Sequence, residues 1–263
     1  MRLTPGFPIL RFDDAREHEL RGSNEEVGMI MMNSKILTPV QQLAVDGLLK
    51  RIPAGDVFVL RSASGMGRTT VLENVHAALG GALVGVRNFM DILNGREPAP
   101  VEEAFLDTVE QSLASHDLVI VDDLHLVTSV VQGCENPRSF LMDAALTAIL
   151  GEAGVRQKKL VFAADNDDAP WPVRRRAYAF TVDEFGAADY ECICRAYLVP
   201  ETADKLDYAR IHRFAPMLNA HQLKNACGRF QREGSVDTDR VLEYLRSHHM
   251  PSDVEINEVQ PVV

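Results

Sequence analysis

The chain is expected to fold as an α/β protein: a parallel sheet sandwiched by helices, followed by a small all-α domain. Three observations carry that expectation. Short continuous apolar runs alternate with segments of helical period up to about residue 185, the pattern of parallel strands covered on both faces. From Gly186 onward the apolar runs stop and only helical periodicity remains. The composition is that of an ordinary globular chain, with 263 residues, 46% hydrophobic and 25% charged, enough for one large domain or a medium one with a small companion.

Taken in order, residues 1–36 form an N-terminal extension that mixes Pro, Gly and charge without a sustained period. Its apolar cluster VGMIMM, at 27–32, suits a short strand or a contact segment. A helix start follows. Thr38 is read as the N-cap, Pro39 as the first helical position and Gln41 as the residue that closes a capping box. This helix should run to about Arg51, where Pro53-Ala54-Gly55 ends it. VFVL at 57–60 is a strand, SASGMGRTT a loop and VLENVHAAL an amphipathic helix. ALVGV (82–86) reads as a second strand, NFMDIL and VEEAFLDTVEQSLA as helices, and DLVIVDD (117–123) as a third, buried strand. A helix over about 139–151, then strands at 160–165 and 178–182, complete an α/β domain over 37–185. Helices within 186–249 form the second domain, and an acidic, Pro-bearing tail at 250–263 is expected to be disordered.

Charge and cysteine usage exclude several classes. The 27 Lys+Arg face 38 Asp+Glu, a net charge of -11. A chain this acidic is a poor general binder of phosphate backbones, so nucleic acid is disfavoured as a partner while a local basic patch stays open. Cys134, Cys192, Cys194 and Cys227 are too scattered for a disulfide framework, and Cys192-x-Cys194 is not a zinc pair; they read as small apolar residues of a reduced, cytoplasmic chain. No run is long and apolar enough for a transmembrane helix, and the start lacks an apolar signal core, so no membrane role is expected.

The most informative stretch is Ser62-Ala63-Ser64-Gly65-Met66-Gly67-Arg68-Thr69-Thr70, between a strand and a helix. It approximates the G-x-x-x-x-G-K-[ST] phosphate loop, with Ser62 at the first Gly, Arg68 at the Lys and Thr69 at the Mg²⁺-binding hydroxyl. Small residues let successive backbone N–H groups wrap a phosphate, and the following helix turns its positive end toward it. Arg68 is a departure, because Arg is longer, planar and forked where Lys is a compact charge. The alternative reading of this stretch is a strand-to-helix turn without a ligand. Further along, LVIV (118–121) is followed by Asp122 and Asp123. Such acids at a strand's carboxyl end suit Mg²⁺ orientation by Asp122 and activation of the attacking water by Asp123; the alternative is a buried strand capped by solvated acids.

With both motifs in this order, residues 37 to about 249 resemble an AAA+ ATPase module, a P-loop α/β domain followed by a helical lid. The resemblance implies ATP and Mg²⁺ as cofactors and implies further roles. Leu160 to Asn166 resembles the sensor-1 strand, with Asn166 at the polar residue that meets γ-phosphate and Asp165 in place of the usual Thr. Arg174, Arg175 and Arg176 fall where the family places arginine fingers, which reach a neighbouring subunit's site; which of the three acts stays open. Leu93-Asn94-Gly95 sits where AAA-clade unfoldases carry a pore loop, without the aromatic. Leu218-Asn219-Ala220-His221-Gln222-Leu223 resembles the start of the helix packed over the nucleotide, and no sensor-2 arginine is placed. His125 reads as a residue packing after the strand.

Three functions follow from these features. The first is an ATP-binding ATPase that assembles into a homo- or hetero-oligomeric ring and remodels a protein partner. The second is a catalytically degenerate AAA-like scaffold, favoured by Ser62, Arg68 and the missing pore aromatic. The third is a small P-loop kinase or initiator-type ATPase, disfavoured for the kinase by the paired acids and the lid.

Overall fold

The computed structural model describes residues 36–94, 100–132, 139–166, 169–233 and 236–248, which belong to one compact unit beginning at Ile36. The N-terminal extension with its VGMIMM cluster, the acidic tail, Cys134 and Gly95 lie outside the described residues.

The apolar runs become β1 (Val57–Arg61), β2 (Ala82–Val84), β3 (Leu118–Val121), β4 (Lys159–Ala164) and β5 (Tyr178–Thr181). They form one parallel sheet in the order β2-β3-β4-β1-β5. The runs are unbroken because both faces are covered. Phe58 and Leu60, Ile120, and Val161 and Ala163 face one apolar cluster; Val57 and Val59, Val119 and Val121, and Leu160 and Phe162 face the other. Side chains alternate along each strand, so two cores draw on the same few residues.

The first face is covered by α1 (Pro39–Arg51) and α2 (Arg68–Leu79), through Ala44, Val45 and Leu48 and through Val71, Leu72 and Val75. The second is covered by α3 (Val86–Asn94), α4 (Val101–Ser115), α5 (Leu124–Gln132), α6 (Ser139–Val155) and α7 (Trp171–Arg176). The first cluster continues without a break into the helices that follow: α8 (Ala187–Tyr197), α9 (Pro200–Ala203), α10 (Tyr208–Phe214), α11 (Ala220–Glu233) and α12 (Thr238–Ser247).

Local chemistry sets several boundaries. The Thr38–Gln41 capping box forms as expected and starts α1. The strand expected over 82–86 stops at Val84, because the Asn88 side chain accepts the Gly85 N–H at 3.1 Å and folds the chain into α3. The helix expected over 139–151 continues to Val155. Burial of Ile149, Leu150 and Ala153 outweighs the helix penalty of roughly 1 kcal/mol each at Gly151 and Gly154. Helices α5, α7 and α9 are not evident from periodicity, being short or tied to a loop. No helix among the described residues is long and apolar enough to cross a membrane.

Candidate active site

Because β1, β3 and β4 are parallel and β4 lies between the other two, the segments leaving all three emerge along one edge of the sheet. There stand the loop 62–67 after β1, Asp122 and Asp123 after β3, and Asp165 and Asn166 after β4.

Two residues give the loop its shape. Gly65 (φ 83°) and Gly67 (φ 87°) occupy the left-handed region, which a side chain disfavours by about 1–2 kcal/mol. A Cβ on Gly67 would lie 2.2 Å from Gln41 Nε2, and one on Gly65 would lie 2.7 Å from Asn219 Cγ. Ser62 and Met66 are buried and Ser64 is exposed, while Ala63 is half-buried. Gly67 is the N-cap of α2, so Arg68, Thr69 and Thr70 form that helix's first turn.

Neighbouring elements clamp the loop. Gln41, whose Oε1 accepts the Thr38 N–H in the capping box, also donates through Nε2 to the Met66 carbonyl at 2.8 Å. The Ala220 N–H donates to the Gly65 carbonyl at 3.1 Å. Asn219 and Gln222 exchange hydrogen bonds of 2.9 and 3.0 Å and so cap the start of α11 against the loop. The turn before it is anchored by Tyr190, whose hydroxyl donates to the Ala215 carbonyl at 2.7 Å and accepts the Leu218 N–H at 3.0 Å. Burial pushes that phenol well above its ordinary pKa.

The charged groups converge on Arg68, which is only 8% exposed. Its Nη1 donates to the Ser62 carbonyl at 2.7 Å and to the Asp165 carboxylate, and its Nη2 lies 3.8 Å from Asp123 Oδ1. Thr69 Oγ1 donates to Asp122 Oδ2 at 2.7 Å. Burial, and the like charge of Asp123, hold the Asp122 carboxyl above its ordinary pKa against the Thr69 hydrogen bond. Asp123 has a φ of 53°, an uncommon conformation for a residue with a Cβ. Its N–H donates to Asp122 Oδ1 at 2.8 Å, and its carbonyl receives the Leu126 N–H at 2.9 Å as α5 begins. His125 packs after the strand, with Nε2 3.8 Å from Asp165 Oδ2 and a buried Nδ1 that has no partner among the described residues.

Asn166 is exposed and lines an open cleft of ≈ 390 Å³ with Ala63, Met66, Thr181, Val182, Asp183 and Glu184. Arg174, Arg175 and Arg176 stand exposed in the last turn of α7, and Arg175 stacks 4.9 Å above the Trp171 ring. Trp171 is itself 57% exposed. Of the Leu93-Asn94-Gly95 triplet, Leu93 and Asn94 end α3. No group of three or more His, Cys, Asp or Glu among the described residues can hold a metal by itself. The Thr69 hydroxyl and the Asp122 carboxylate are nevertheless the hard oxygen donors that Mg²⁺ takes when phosphates and water complete its shell.

Sequence reasoning overlooked three contributors to this site. Gln41 carried a helix-capping signal that masked its reach to Met66. Asn219 gave only the general likeness to a lid helix. Asp165 is a departure at its position in the sequence, which carries no signal that it pairs with Arg68.

No protein-family profile and no curated protein sequence matches the chain. Among solved structures, the fold is similar to that of domain III of the Thermotoga maritima replication initiation protein DnaA. The TM-score is 0.55 at 12% sequence identity, over 84% of this chain and 97% of that one. The likeness is one of fold: a five-stranded parallel α/β sheet followed by helices.

Proposed function

We propose that this chain is an ATP-binding AAA+-type ATPase that oligomerises, as a homo- or hetero-oligomeric ring, and couples nucleotide binding and hydrolysis to the remodelling of a protein partner in the cytoplasm. The observation that carries the reading is the Thr69–Asp122 hydrogen bond, which joins the end of a glycine-shaped loop to the acids of a strand that does not neighbour it. Ser62 to Thr70 hold the phosphates through backbone N–H groups and the start of α2. Thr69 and Asp122 hold Mg²⁺. A cation offsets the cost of ionising Asp122, which burial raises. Bound Mg-ATP supplies the transferable phosphoryl group. Asp123 orients and polarises the attacking water, Asn166 senses the terminal phosphate, and one of Arg174, Arg175 and Arg176 reaches a neighbouring subunit's site. The helices from Gly186 onward serve as the lid, through Asn219 and Ala220 on the loop. The described cysteines Cys192, Cys194 and Cys227 are free thiols, which suits a reducing compartment.

A second reading is supported by Arg68, whose guanidinium is engaged within the chain: a nucleotide-responsive scaffold with weak or no turnover. Calorimetric titration of the full chain with Mg-ATP tests the first requirement of both. Micromolar binding is expected, and turnover in the same preparation then separates ATPase from scaffold. No heat at about 1 mM ATP overturns nucleotide binding.

A further inference from the structure

Arg68 is held from three strand ends at once. Nη1 takes the Ser62 carbonyl behind β1 and the Asp165 carboxylate behind β4, and Nη2 faces Asp123 behind β3. A guanidinium is a rigid planar fork, so two acceptors on one nitrogen fix the orientation of the whole head. A lysine ammonium, shorter by one branching group, does not present that fork. The side chain is 9% exposed against 31% for Asp165, so the arginine is the buried partner and Asp165 stands nearer to solvent. The ion pair therefore lies beside the loop that the previous subsection assigns to nucleotide phosphates, and it uses the positive charge that those phosphates would use.

Resting on that nucleotide-binding reading, we propose that Asp165 is a positioning residue that latches Arg68 onto the end of β4, so that a terminal phosphate gains the guanidinium only in competition with the Asp165 carboxylate. In the nucleotide-free chain the latch neutralises the carboxylates around Arg68 and keeps the arginine from standing buried and unpaired. Opening it has two consequences of opposite sign. The free chain loses an ion pair, and an incoming phosphate meets a released guanidinium with one carboxylate fewer beside it.

The test is calorimetric titration of the full chain with Mg-ATP for the wild type, Asp165→Asn and Asp165→Glu, with the melting midpoint of each measured without nucleotide. Asp165→Asn is expected to lower the nucleotide-free midpoint while tightening Mg-ATP binding about tenfold. Asp165→Glu keeps a carboxylate and is expected to stay near the wild type in both. A merely structural Asp165 would lower both quantities, so the opposed signs are the signature. Arg68→Lys opens the latch from the other side and is expected to tighten binding as well, which covers the case of an Asn variant that does not fold. Unchanged or weaker Mg-ATP affinity in folded Asp165→Asn and Arg68→Lys, with binding intact in the wild type, overturns the latch and leaves the nucleotide reading standing. Absence of binding in the wild type and every variant overturns both; binding that emerges only in Asp165→Asn or Arg68→Lys supports the latch and overturns nucleotide binding by the wild-type chain.

Discussion

Gln41 Nε2 donates to the Met66 carbonyl at 2.8 Å, while its Oε1 accepts the Thr38 N–H at 3.0 Å. One amide therefore caps α1 and holds the backbone of the 62–67 loop, and the glycine at 67 is what leaves room for it. The two functions are separable by substitution. Gln41→Glu retains the capping acceptor but loses the donor to Met66, whereas Gln41→Ala loses both. We expect Gln41→Ala to cost about 1–3 kcal/mol of stability and Gln41→Glu less than that in the helix itself. Both should weaken Mg-ATP binding. Thermal unfolding and calorimetry check this, and full affinity in Gln41→Glu means that the Met66 contact does not shape the loop.

Asp122 makes stability depend on pH in a definite direction. Burial, with the charge of Asp123, raises its pKa in the folded chain, so the folded state binds this proton more tightly than the unfolded one. Its contribution to stability is then present at low pH and is lost as pH rises through the ordinary carboxylate range and beyond. Asp122→Asn, which keeps an acceptor for Thr69, is expected to raise the melting midpoint at about pH 7 and leave it unchanged near pH 3. Stabilisation by added Mg-ATP should shrink in the same variant. A lower midpoint at neutral pH shows that the carboxylate stabilises the free chain.

Asp123 combines a left-handed backbone, φ 53°, with the proposed role of polarising the attacking water. Strain of this kind persists where the surroundings demand a particular side chain. Asp123→Gly relieves it, with an expected gain of about 1 kcal/mol, while Asp123→Asn keeps the shape. Both variants should bind Mg-ATP and lose turnover by about 10²–10⁴-fold. Steady-state hydrolysis and thermal unfolding give the two readouts. Undiminished hydrolysis in Asp123→Asn removes Asp123 from the chemistry.

Trp171 is the chain's single tryptophan, and Arg175 stacks on its exposed ring. Burial of α7 against a neighbouring subunit should therefore blue-shift the emission as protein concentration rises with Mg-ATP present. Single Arg→Ala changes at 174, 175 and 176 should leave nucleotide affinity near the wild type, while one of them lowers turnover by about 10³-fold or more. Emission that ignores concentration, together with three fully active variants, removes α7 from any subunit contact.

What was legible in the sequence is what neighbours in sequence decide. The Thr38–Gln41 box spans one helical turn, so its residue types announce it. The strands were legible because a parallel sheet buried on both faces demands continuous apolar runs, as in Leu118 to Val121. The end of β2 was less so, because Asn88 reads equally well inside a helix and as the acceptor that starts one. In the same way α6 outlasts its glycines through tertiary burial, which no window of the chain reports.

By itself the sequence determined the alternation of strands and helices, the loop with its glycines and the placement of paired acids after a strand. These follow from period, residue size and local hydrogen bonding, all of which act over a few residues. Tertiary structure alone decided that β4 is inserted between β1 and β3, and with it every relationship within the site. Thr69 meets Asp122 across 53 residues, Asn219 covers Gly65, and Arg68 turns to an aspartate 97 residues away. Strand order carries no local signature, since any apolar run can neighbour any other, and an arginine finds its carboxylate only after the sheet has brought the strand ends together.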